Sequence, residues 1–188
     1  GRSTLAEVRR VEGIEEAGQV NFTATTLIFP NGQEPLDVSL VGVEPGRPGE
    51  PPAFDGVGLS RDRANEAVLD RNTALRADLK VGDTIIVKST QGTEEEQYPL
   101  TVVGISDGRQ FFLQPSVFVP MQTWEKIRPG GGQQLSSDEL VSNIIAVKLV
   151  NPAEVDATRG RILNEVRASK LVIQHSRARS TPSGTSRR

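Results

Sequence analysis

The chain has 188 residues, 36% hydrophobic and 24% charged, which suits one globular domain, or one with a smaller domain inserted, and excludes a disordered chain. No apolar stretch approaches the roughly 20 residues that cross a bilayer; the longest, Ile144 to Val150, is interrupted by Lys148. Net charge is −2, and the tail Ser176 to Arg188 holds four arginines and no acid, so the rest carries 18 basic against 24 acidic residues, −6, which argues against a nucleic-acid-binding fold.

Zero cysteines remove disulfide frameworks, thiolate metal sites and cysteine nucleophiles. The 18 Gly, 12 Pro and few aromatics point to many turns and a core of Val, Ile and Leu, which favours strands over long helices. The first residue is Gly1 and the single methionine is Met121, so we expect a piece of a longer protein; no signal-peptide pattern opens it.

Thr4 and Glu7 form a capping-box pattern, and Leu5, Val8 and Val11 follow at helical spacing, which predicts a short helix ended by Gly13. Gln19 to Phe29 alternates as one strand, Pro30-Asn31-Gly32 turns, and Leu36 to Val43 returns as its hairpin partner. Glu44 to Gly58 is too rich in Pro and Gly for regular structure and is expected to be a loop. Glu66 to Asp70 is a short strand, Thr73 to Leu79 a helical turn or two, Asp83 to Ser89 a strand, Thr90 to Gln97 an acidic turn and Tyr98 to Ile105 the partner strand. Gly108 opens another loop. Ser116 to Val119 is a strand, Met121 to Ile127 a short helix, and Pro129 to Gly132 closes the segment.

Ser136 with Glu139 predicts a brief helix, and Asn143 to Val150 is the most continuous buried-strand pattern in the chain. Asn151, Pro152 and Glu154 make a strong helix start, since Asn caps, Pro takes the first turn and Glu meets the positive end of the dipole. Val155, Ile162, Leu163 and Val166 then line one face of a helix running to about Ala168, and Leu171 to Ile173 follows as a strand, giving a β-α-β unit. No repeat of fixed period is present.

Few residues read as chemistry. His175 is the only histidine and lacks an identifiable nucleophile or carboxylate partner, so it reads as a solvated edge residue; one His without Cys nearly excludes zinc. Glu94, Glu95 and Glu96 are consecutive where a calcium loop alternates its ligands, and suit a charged hairpin tip. Gly56-Val57-Gly58 lacks the third glycine of a dinucleotide fingerprint, and Asn21-Phe22-Thr23 is a chance glycosylation pattern within a strand. The Arg/Ser tail is too sparse for a polybasic cluster and reads as a linker. Phe111 and Phe112, between Gln110 and Gln114, are candidate partner-contact residues, because a paired aromatic in a polar loop often marks a protein contact; core packing of at least one is the competing reading. Trp124 reads as core. No catalytic, cofactor-binding or metal-binding residue emerges, and without a P-loop no ATP site is expected.

Six stretches in order, LAEVRRVEGIEEAGQV (5 to 20), VSLVGVEPG (38 to 46), EAVLDRNTALRADLKVGDTIIV (66 to 87), LTVVGISD (100 to 107), SVFVPMQTWEKI (116 to 127) and NIIAVKLVNPAEVDATRGRI (143 to 162), resemble the MacB-like extracytoplasmic domain of FtsX-type ABC transporter permeases. The most diagnostic parts are Lys80-Val81-Gly82-Asp83, the Val102 to Ile105 strand and Val117-Phe118-Val119-Pro120 leading into a helix. Each also has a scaffold reading: Gly82 permits a turn, Asp83 can take backbone amides, and Gly104 suggests a bulge or a close backbone approach. The proline-rich run 44 to 58 and the polar tail from Ser176 depart from the family pattern.

The resemblance implies an α+β fold in which residues 1–28 plus 141–175 form a small porter-like β-α-β subdomain, 29–140 an inserted mainly β subdomain and 176–188 a flexible juxtamembrane linker. It further implies a domain between two transmembrane helices on the extracytoplasmic side of the cell membrane. That domain would not itself be an enzyme and would couple ATP hydrolysis by a cytoplasmic ABC ATPase to a substrate or partner outside. The expected partners are a second permease copy, that ATPase and an extracytoplasmic adaptor or substrate protein, with no nucleic acid and no cofactor. A free-standing secreted binding or adhesion module with the same fold is the alternative, and a hydrolase using His175 a distant third.

Overall fold

The computed structural model describes residues 2–107, 115–130 and 143–166. Their elements are α1 (Arg2–Arg9), β1 (Ile14–Ile28), β2 (Leu36–Val43), β3 (Ala53–Gly56), β4 (Glu66–Asp70), α2 (Arg71–Arg76), β5 (Thr84–Gln91), β6 (Glu94–Ser106), β7 (Ser116–Pro120), α3 (Met121–Ile127), β8 (Asn143–Leu149) and α4 (Val155–Glu165), the last preceded by a 3-10 turn at Pro152–Glu154. None of the described helices is long and apolar enough to cross a membrane.

One mixed sheet runs β2-β7-β4-β6-β5-β1-β8, and an additional β1–β2 pairing closes β1, β2, β7, β4, β6 and β5 into a ring. The fifteen residues of β1 make this possible. Its first half pairs with β8, from Ile14↔Leu149 to Asn21↔Asn143, and its second half with β2, from Val20↔Val43 to Leu27↔Leu36, before touching β5 at Thr26 to Ile28. Inward residues alternate along the strands, so Val38 and Leu40 meet Ile85, Val87, Leu100 and Val102 in the main core. Trp124 of α3 lies within that core and donates its indole N–H to the Leu40 carbonyl at 3.1 Å, satisfying its polar atom while α3 closes one end of the ring. Gly42 leaves the space that the Trp124 side chain fills.

A second, smaller core lies where the two ends of the described chain meet. Leu5, Val8 and Val11 of the first helix and its turn pack with Ala17 of β1 and with Ile162 and Val166 at the end of α4. Glycine 13, with φ +92°, makes the turn into β1. Over it lies Arg161 of α4, whose Nε donates to the Glu12 carbonyl at 2.9 Å while Nη2 donates to Thr158 Oγ1 at 3.0 Å.

Most predicted elements stand, with instructive differences. The first helix begins at Arg2, so Thr4 lies inside it and the capping-box reading fails. The run 44 to 58 contains β3, which takes the edge of β6 at Ile105 and Ser106 beyond the start of β5. The acidic turn 90 to 97 shrinks to Gly92-Thr93, because Glu94, Glu95 and Glu96 pair with Gln91, Thr90 and Ser89 as strand residues and Gly92 supplies φ +64°. Lys88 Nζ reaches Glu95 at 2.8 Å across the pair. The apolar run 144 to 150 is not a buried strand: β8 ends the sheet order, and Ile144, Val147 and Val150 are exposed. On α4 only Ile162 and Val166 of the predicted face are buried, while Leu163 is exposed. The predicted helix at 136 to 139 and strand at 171 to 173 lie outside the described residues.

The diagnostic glycines behave as expected. Gly82 has φ +98° and donates to the Val102 carbonyl at 2.7 Å, and the Asp83 carboxylate accepts from Lys80 N at 2.8 Å. At Gly104 both readings hold: the register slips so that Val68 faces Gly104 after Ala67 faces Val102, and a Cβ there would strike the Val57 carbonyl.

Candidate functional site

The strand directions sort the molecule into two ends. β1, β4 and β6 run away from α1 and α4, whereas β2, β5 and β7 run toward them. The far end therefore gathers the turn after Ile28, α2, β3 and both roots of the connection between β6 and β7.

Asp70 organises this end. It is 3% exposed and stands at the last position of β4. Oδ1 caps α2 by accepting from Asn72 N at 2.9 Å and Thr73 N at 3.0 Å; Oδ2 accepts the Thr73 hydroxyl and Ser116 N, the latter at 3.0 Å. A buried carboxylate is tolerable here because each oxygen meets two donors. Ser106 Oγ donates to the Leu69 carbonyl and Ser39 N to the Pro115 carbonyl. Both roots of the β6–β7 connection are thus pinned beside Asp70, an anchoring role that its sequence context showed only as a strand followed by a helical pattern.

The candidate contact residues Phe111 and Phe112 belong to that connection and lie outside the described residues, as does His175. Described residues at the same end are apolar and exposed: Phe54 of β3, Val57, Leu75 of α2 and Val81. Sequence reading passed over them because single exposed apolar residues carry no pattern; only the fold brings them to one end.

No group of three or more His, Asp or Glu that could hold a metal occurs among the described residues. The shallow depression bordered by Arg47, Glu50 and Pro52 is open, and its one organising carboxylate, Glu50, is committed to Gly46 N at 2.6 Å and Leu59 N at 2.7 Å. Among the described residues, two groups are shifted from their ordinary values. Glu16 is held below the usual carboxylate range by the Ala17 amide, with Arg47 and Arg9 adding to the effect and partial burial opposing it. Burial, with the Glu96 carboxylate accepting its hydroxyl at 2.6 Å, pushes the Tyr98 phenol up to about 12. Both serve structure: Glu16 and Arg47 tie the 44 to 58 run to β1, and Tyr98 packs against the main core.

A mixed sheet closed into a ring and a small core shared by both ends of the described chain make up the architecture. Residues 2–165 match the profile of the MacB-like periplasmic core domain, and the chain belongs to this family. It is also similar in fold to the extracellular domain of the noncanonic ABC-type transporter YknZ from Gram-positive bacteria, with 12% identity, 87% of this chain and 80% of that one covered, and a TM-score of 0.56. The periplasmic region of MacB from Actinobacillus actinomycetemcomitans gives 16% identity, coverage of 87% and 71%, and a TM-score of 0.57. No curated protein matches. The family places the chain among periplasmic or extracellular domains of ABC transporter permeases.

Proposed function

We propose that this domain stands between the first and second transmembrane helices of an ABC permease and passes movement driven by cytoplasmic ATP hydrolysis to a substrate or partner outside the membrane. The observation that carries this reading is the small core: α1 and α4, the first and last described helices, share Leu5, Val8, Ile162 and Val166. A domain gripped at both ends in this way moves as a body when its anchors move. In this reading residues 1–28 and 141–175 form the anchored subdomain, 29–140 the inserted one and 176–188 the linker. A second permease copy and a separate ATPase complete the machine, and an adaptor or substrate protein meets Phe111 and Phe112.

The parent gene and its product test this. Reporter fusions should give four membrane helices, with this segment on the extracytoplasmic side between the first and second. A product with no membrane helix would instead make the chain a free-standing secreted module.

A further inference from the structure

We infer that residues 44–59 are a strap that locks the small-core arm of the molecule to the ring, and that without it β1 bends at Val20 and Asn21. The inference deepens the proposed function by naming what keeps the domain stiff, and it rests on that reading only for the use made of the stiffness.

A lock is needed because β1 changes partners along its length. It pairs with β8 from Ile14 to Asn21 and with β2 from Val20 to Leu27, so the two ladders overlap only at Val20 and Asn21; Val20 faces Ile144 across one edge and Val43 across the other. Before Val20, β8 is the one ladder partner of β1 among the described residues, and α1 and α4 ride on that arm through the small core. An overlap this short is where a strand can bend, since hinges are a few residues with little packing on either side.

The strap crosses this point. A Cβ on Gly18 would collide with the Pro48 carbonyl oxygen, and one on Gly49 would collide with Val20 Cγ2 and stand 3.5 Å from Ala146 Cβ, so the strap backbone rests directly on β1 and β8. On the arm, Arg47 Nη1 reaches Glu16 Oε1 at 2.7 Å, while the Glu44 carboxylate accepts Gln19 N at 3.1 Å and lies 3.5 Å from Arg9 Nη2 of α1. On the ring, β3 pairs with β6, and Leu59 is buried with Val41 of β2, Val68 of β4 and Phe118 of β7 in a cluster that also takes in Val20. Glu50 clasps the two halves together, with Oε2 accepting Gly46 N at 2.6 Å and Oε1 accepting Leu59 N at 2.7 Å. The ion pairs are half exposed and each contributes little. The close seat on Gly18 and the Glu50 clasp therefore carry the lock.

Spin labels at Arg10→Cys and Gln33→Cys, exposed positions on the arm and in the far-end turn of a 188-residue chain with no native cysteine, report the angle between arm and ring, and amide hydrogen exchange reports the strap. With the strap unaltered, one narrow distance distribution is expected. Gly18→Ala suits a strand but not the Pro48 carbonyl; the second variant combines Arg47→Ser, Pro48→Ser and Glu50→Ala and adds nothing to the core. Each should raise exchange across 44–50 about tenfold or more and broaden the distance distribution about twofold or more, with protection of β2, β5 and β7 kept. Gly160→Ala on α4, where a Cβ meets nothing within 4 Å, should leave both readouts unchanged. A distribution that stays narrow although the strap exchanges freely would overturn the inference, because β1 would then hold the angle by itself. So would strap exchange indifferent to both variants, or a broad distribution with the strap unaltered. If Gly18→Ala loses protection throughout the sheet, the triple variant decides alone. A gene product with no membrane helix would remove the permease reading and leave this result standing.

Discussion

Asp70 shows how one side chain can hold several elements. Its two oxygens bind amides of α2 and β7 and a buried hydroxyl, joining β4, α2 and β7. Asp70→Ala removes the helix cap and strands buried donors, and each of these losses costs about 1 to 3 kcal/mol; we expect a total loss of about 3 kcal/mol, measured as a shift in urea midpoint at unchanged slope. Tyr98 offers a pH test. Its folded value of about 12 lies above the ordinary 10.0, so its contribution is complete below pH 10 and is lost as pH rises toward 12, while the unfolded phenol ionises first. Tyr98→Phe should remove that alkaline step, read from the dependence of melting temperature on pH between about 9 and 12. Glu16 works in the opposite sense: its lowered value gives a contribution present above the ordinary 4.5 and lost as pH falls below it.

Among the elements, α4 depends on a few anchors rather than on a broad apolar face. Ile162 and Thr158 are its buried residues, and Arg161 bolts it to the Glu12-Gly13 turn. Arg161→Ala should raise hydrogen exchange across 155–165 about tenfold or more, corresponding to about 1.4 kcal/mol of local stability, with β2, β4 and β7 unaffected; unchanged protection would show that the apolar contacts alone hold the helix. The strands were legible wherever local pattern and environment agree. β2 and β4 match their predicted bounds because turn residues flank β-branched runs. β8 shows where pattern and environment part. Ile144, Ile145 and Val147 read as a buried run, but burial is decided by neighbours, and β8 sits at the end of the described sheet. β3 was hidden because AFDG between prolines and glycines has no strand pattern of its own; it forms because β6 offers an open edge there. The far-end patch was illegible for the same reason, since 54, 57, 75 and 81 come together only through pairing and packing.

For the whole molecule, the consequential feature is β1, which belongs to the small core through Ala17 and to the main core through Leu27. On the proposed function, this continuous strand shared by both cores, with α1 and α4 meeting at one end, is the element that would carry displacement along the molecule. The domain is then expected to move as a lever when the permease works. The direct measurement places a donor dye at Gln33, an exposed residue in the far-end turn, in the full-length permease and its ATPase reconstituted in vesicles with acceptor-labelled lipid headgroups. Energy transfer should change on adding ATP and stay constant in an ATPase variant unable to hydrolyse it. Transfer that is indifferent to ATP while hydrolysis proceeds at its normal rate would contradict the account.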